Sequence, residues 1–140
     1  MRSTYRYLAM AIGTFVVIQA AAIAFGMFGL AHDVDSNGVV VDDKYDGNAG
    51  FAVHAIVGQM VIPLLALALL IVGIMARRIP GAARWATIVF VLVVVQIALA
   101  YASFAVPVIG LLHGVNAFLI LLSSLKAVTV VPRESAAAAT

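Results

Sequence analysis

Four long apolar runs, Tyr7–Ala31, Phe51–Ala76, Trp85–Val106 and Val108–Leu125, decide what kind of fold is open to this chain. A helix rises about 1.5 Å per residue, so a hydrocarbon core of about 30 Å takes about 20 residues to cross. Each run approaches or exceeds that length. None of them alternates apolar with polar residues, as the strands of a membrane barrel must. The breakers between them are the acidic, Gly-rich stretch His32–Gly50, the basic turn Arg77-Arg78-Ile79-Pro80-Gly81, and Pro107.

Composition closes off the alternatives. The chain is 65% hydrophobic and 10% charged, with no cysteine. A soluble domain would carry about 25% charged residues, a disordered chain more, and a disulfide scaffold would need thiols. The predicted fold is therefore an all-α membrane protein: an up-and-down bundle of four transmembrane helices in one domain, residues 1–131. The helices are expected at about 7–31, 51–76, 85–106 and 108–128, with an extracytoplasmic loop at 32–50 and a disordered cytoplasmic tail at 132–140.

Charge placement orients the bundle. Arg2, Arg6, Arg77, Arg78, Arg84, Lys126 and Arg133 fall on one side, and only Lys44 on the other. Asp33, Asp35, Asp42, Asp43 and Asp46 share the Lys44 side. The positive-inside rule predicts a multi-pass protein of the cell (inner) membrane with both termini cytoplasmic. The arginines read as topology and lipid-headgroup contacts, with no nucleic-acid partner. A signal peptide ending at Gly29-Leu30-Ala31 is the competing reading of the first run, but such signals use only about 7–15 apolar residues.

All three histidines fall on the acidic half, and two sit at matched depth. His54 and His113 each lie about one turn inside the outer end of their helix. Helices 2 and 4 run parallel to each other and are diagonal partners in such a bundle. Two imidazoles at one level on diagonal helices suit the two axial positions of a haem iron. Gly58, Gly110, Gly114 and Ala117 supply bare helix surface nearby, and Asn116 shares the face of His113. The expected site is thus His54, His113, Gly58, Gly110, Gly114, Asn116 and Ala117, with the two histidines as iron ligands. The plainer reading is that small residues let helices approach and that each histidine is a lone hydrogen-bonding group. Ionisable residues inside a membrane favour the functional reading.

The stretch Gln96-Ile97-Ala98-Leu99-Ala100 … Val106-Pro107 … Leu112-His113-Gly114-Val115-Asn116-Ala117, with Val53-His54-Ala55-Ile56-Val57-Gly58 upstream, resembles one four-helix half of the haem A synthase family. The likeness covers about residues 50–125. It implies a haem-binding bundle with His54 and His113 in the ligand positions and haem b as the cofactor. That family carries a glutamate four residues before the second-helix histidine, where this chain has Gly50, and often a cysteine pair, which this chain lacks. The departures speak against haem A synthase activity and leave an enzymatic role uncertain.

Two functions follow from these residues. One is a b-type haem protein engaged in electron transfer or haem handling. Its expected partners are the lipid bilayer, a quinol, a respiratory or haem-biosynthesis membrane complex, or a second copy of the chain. The other is a cofactor-free membrane subunit or assembly factor of a larger complex. A transporter ranks below both, because the spans hold no buried carboxylate or lysine. Gln19 and Gln96 are expected to bond between helices, and Gln59 to turn partly away from His54. Tyr101 and Ser103 are candidates for contact with a quinone or a haem propionate, or for anchoring at the interface. Tyr7 and Trp85 are read as interface anchors at the other end. Pro63 should kink helix 2 below His54. His32 is expected at the outer surface. Asp33-Val34-Asp35-Ser36-Asn37-Gly38 matches half of a calcium loop but has Lys44 where a bidentate glutamate is required. It reads equally as a hairpin turning at Asn37-Gly38.

Overall fold

The computed structural model describes residues 1–42 and 44–131, and its regular elements are all helical. Four helices are long and apolar enough to cross a membrane: α1 (Arg2–Asn37), α2 (Ala49–Met75), α3 (Ala82–Ala105) and α4 (Pro107–Val130). In the bundle α1 packs on α2 and α4, and α3 packs on the same two helices. The ring order is therefore α1–α2–α3–α4, with α2 and α4 on one diagonal. Large apolar side chains such as Phe28, Leu64, Phe104, Leu111 and Phe118 cover the outside of this ring, as a lipid-facing surface requires.

Lipid offers no hydrophobic drive for helix association, so the contacts depend on close approach and polar ties. At the basic end the Tyr5 hydroxyl donates to the Ala82 carbonyl (2.9 Å), joining α1 to α3. The Arg6 guanidinium donates to the carbonyls of Val128 and Val131, both at 2.8 Å, and so caps the C-terminus of α4. That cap adds a role to an arginine read from the sequence as topology and headgroup contact. At the other end Gly50 of α2 rests against Gly26 and Ala22 of α1, backbone on backbone.

Asn48 fixes the start of α2. Its Oδ1 accepts from the N–H groups of Gly50 and Phe51, the standard N-cap, while its Nδ2 donates to the Gly26 carbonyl at 2.8 Å. One side chain thus sets both where α2 begins and how it meets α1. Asn48→Ala should lower bundle stability by about 1–2 kcal/mol, because cap loss alone costs about 0.5–2 kcal/mol. Reversible unfolding in mixed micelles checks this.

The structure moves several boundaries. Helix α1 continues past Ala31 to Asn37, so His32 and the acidic motif lie on its last turns rather than in a loop. His32 is exposed there, with the Ser36 hydroxyl 3.4 Å from its Nδ1. Asn37 Nδ2 donates to Asp33 Oδ1 at 3.0 Å, the Val39 N–H reaches the Asp33 carbonyl at 3.1 Å, and Gly38 takes φ 65°. Asp33–Gly38 is therefore a helix end with a left-handed glycine cap, neither a calcium loop nor a hairpin. Val39–Val41 form no strand. Asp43, the tail 132–140 and its Arg133 lie outside the described residues.

Helix α2 carries a π-helical stretch at Val57–Val61, where the Ile62 N–H bonds to the Val57 carbonyl. Pro63 explains it: a proline has no N–H for the carbonyl four residues back and crowds it sterically. A widened turn just ahead of the ring absorbs both faults. The expected perturbation at Pro63 thus takes the form of a π-bulge, beginning three residues after His54.

Candidate functional site

Burial divides the bundle into two halves. Toward the basic end the interior is filled by Tyr5, Ile12, Leu69, Val89, Ile120 and their neighbours. Beyond Val16, Ile62, Val93 and Ile120, the only buried residues among those described are Gln19, Ala22, Gly26, Gly50 and Asn116. No large apolar side chain is buried in that half. The two histidines stand there.

His54 is six residues after the N-cap Asn48, and His113 is six residues after Pro107. Their ring centroids are 6.3 Å apart, with the planes tilted by 60°. Each ring is held the same way. His54 Nδ1 lies 3.2 Å from the Gln19 carbonyl, and His113 Nδ1 lies 3.2 Å from the Gln96 carbonyl. A carbonyl only accepts, so Nδ1 carries the proton on both rings and the lone pair falls on Nε2. Metal-binding histidines are oriented by this kind of outer contact. The two halves α1/α2 and α3/α4 therefore repeat one device: a glutamine carbonyl on the odd helix anchors a histidine on the even one.

The second nitrogens differ. His113 Nε2 receives the Gln96 side-chain amide at 3.1 Å. The same amide's Oε1 accepts from Asn116 Nδ2 at 2.7 Å, and Asn116 also donates to the Leu92 carbonyl at 2.9 Å. For His54, no protein hydrogen bond involves Nε2 among the described residues. Gln19 is only 9% exposed, and its Nε2 is buried with no partner among the described residues.

The remaining expected site residues take different places. A Cβ on Gly114 would meet nothing within 4 Å, so this flank of His113 is open. Gly58 faces the Gln19 amide, Gly110 faces Ser103, and Ala117 packs on the edge of the core. Asn116 is buried and bonds α3 rather than standing free. Gly50 admits no side chain at all, since a Cβ there would run into the α1 backbone. The Tyr101 hydroxyl donates to Gln59 Oε1 at 3.0 Å, and Ser103 Oγ bonds its own helix at Leu99.

A surface groove of about 420 Å³ lies between α2 and α3, and neither histidine lines it. Gln59, Met60, Pro63, Leu64, Phe90 and Val94 are among its lining residues. No group of three or more His, Cys, Asp or Glu is assembled for a metal ion among the described residues. A haem with two axial imidazoles requires only two such side chains.

Gln96 bonds between helices through its side chain, as expected, whereas Gln19 Nε2 finds no partner among the described residues. What sequence reasoning missed is that both glutamines anchor a histidine through their backbone carbonyls, for which the sequence carries no side-chain signal. Comparison with family models, curated proteins and solved structures finds no match to this chain.

Proposed function

We propose that this chain is a membrane b-type haem-binding protein in which His54 and His113 ligate one iron from opposite faces, near the acidic end of the bundle. The observation that carries the reading is the 6.3 Å between two imidazoles whose Nδ1–H groups are both held by carbonyls. A metal–imidazole bond is about 2.0 Å and the ring centre lies about 1.1 Å further on, so two rings whose Nε2 atoms turned to one shared iron would stand about 6.2 Å apart. The open flank at Gly114 and the lack of buried bulky side chains at this level fit a macrocycle.

Bound haem would be held by His54 and His113 and would supply one-electron redox chemistry. The protein's part is to orient the ligands. The Gln19 and Gln96 carbonyls fix the tautomer of each histidine, and Asn116 fixes the Gln96 side chain beside His113. The packed lower half keeps the histidine level separate from the basic end. Electron transfer or haem handling is the role this supports, with the basic end in the cytoplasm by the positive-inside rule. A membrane quinol is the donor that suits such a site. The exposed Gln59–Tyr101 pair, with Gln59 also lining the apolar groove, offers its head group polar contacts.

One observation favours the cofactor-free reading, in which the chain is a subunit or assembly factor: the Gln96 amide already satisfies His113 Nε2. Protein purified from cells supplied with haem separates the two. The haem reading predicts a red preparation whose Soret band shifts reversibly on reduction. The subunit reading predicts a colourless bundle in which either histidine is replaceable.

A further inference from the structure

The two halves hold their histidines alike at Nδ1 but not at Nε2, and the difference lies in one side chain. Gln96 acts on His113 twice. Its backbone carbonyl takes the Nδ1 proton at 3.2 Å, and its side-chain amide donates to Nε2 at 3.1 Å. The first contact orients the ring as a ligand. The second occupies the lone pair that a metal would use. Directionality around the network leaves no other assignment. The Leu92 carbonyl requires Asn116 to present its NH₂ group, which then donates to Gln96 Oε1 and turns the Gln96 NH₂ toward His113. Asn116, 5% exposed, thereby locks the amide in place.

Among the described residues nothing equivalent meets His54. Three residues after His54 stands Val57, not an asparagine. The Gln19 amide lies over Gly58, its Nε2 without a partner, while the Gln19 carbonyl anchors His54. One proposed ligand is free at Nε2 and the other is covered.

We infer that Gln96 is a positioning residue whose amide stands in for the iron: it holds the His113 lone pair in haem-free protein and must swing aside before the second axial bond can form. The inference rests on the haem reading above. It gives loading an order, with His54 engaging first and His113 completing the pair once Gln96 is released. It also assigns the Gln96–Asn116 contact a purpose in haem-free protein, where it keeps the amide on His113 Nε2.

The test uses the full-length haem-free protein in detergent, titrated with ferric haem and, separately, melted without haem. Gln96→Leu keeps the side-chain volume and Gln96→Ala removes it, while both retain the backbone carbonyl at His113 Nδ1. Removing a competitor of ordinary hydrogen-bond strength should tighten haem binding about three- to tenfold in both variants. The same variants should melt at lower temperature than wild type when haem-free, because His113 and Asn116 lose a partner. A purely structural Gln96 would lower stability and affinity together. Variants that bind haem no tighter than a wild type that does bind it overturn this inference alone. A wild type that takes up no haem overturns the haem reading and this inference with it.

Discussion

Replacing either histidine by alanine should remove the six-coordinate low-spin haem spectrum completely. His54→Ala and His113→Ala each delete one of the two proposed ligands, and neither leaves another histidine at that level: His32 is exposed on the last turns of α1. Loss of an outer contact to a metal ligand already costs about 10–100-fold in affinity, so loss of the ligand itself should cost at least about 100-fold. The bundle should survive both changes. Each ring is only partly buried, and the packed core lies in the other half of the molecule. Circular dichroism of the variants checks the fold, and added free imidazole should restore the low-spin spectrum by occupying the vacated position. If either variant keeps the wild-type spectrum, its histidine is not a ligand.

The second large effect is structural, and it falls on Gly50. An added Cβ would collide with the Gly26 backbone N and lie 2.6 Å from the Ala22 carbonyl oxygen. Those are backbone atoms of a helix and cannot rotate away, so α1 and α2 would have to separate. Overpacking usually costs about 1–3 kcal/mol, and an obstruction by backbone belongs at or above the top of that range. Separation would also pull the Gln19 carbonyl from His54 Nδ1 and the Gly26 carbonyl from Asn48. Gly50→Ala should therefore lose about 3 kcal/mol in reversible unfolding, and Gly50→Glu should not assemble a native bundle. Gly114→Ala is the internal control. Its added methyl meets nothing within 4 Å, and the stability of haem-free protein should stay within about 0.5 kcal/mol of wild type. Equal losses at the two glycines would mean that the α1/α2 contact is not the constraint it is taken to be.

Gly50 also marks how far the sequence could be read. It was legible there only as a departure, a glycine where the resembled family has glutamate. That α1 lies against it depends on which faces meet, and a single sequence does not carry that. The four spans were legible because lipid permits few structures and each run is long enough to cross. The common level of His54 and His113 was legible by counting from the breakers, since Asn48 and Pro107 start their helices six residues before each histidine.

What escaped was carried by backbone groups. The Gln19 and Gln96 carbonyls leave no side-chain signature. The intervals from glutamine to histidine differ, 35 residues against 17, so the repeated device is hidden from any linear search. At the end of α1, polar residues after Ala31 suggested a loop. Yet His32–Ser36 and Asp33–Asn37 are each four apart, the spacing of neighbours on a helix face, and Gly38 is the stop. The Pro63 ring announced a disturbance, which takes the form of a π-helical stretch at Val57–Val61.

The central claim is that two histidines close both faces of one iron. It is tested most directly by the haem content and ligation state of the purified wild-type protein. The account predicts one haem b per chain, low-spin and six-coordinate in both oxidation states, with a reduced spectrum that carbon monoxide leaves unchanged because no axial position is open. A protein that stays colourless when haem is abundant, or a reduced haem that readily binds carbon monoxide, would contradict it.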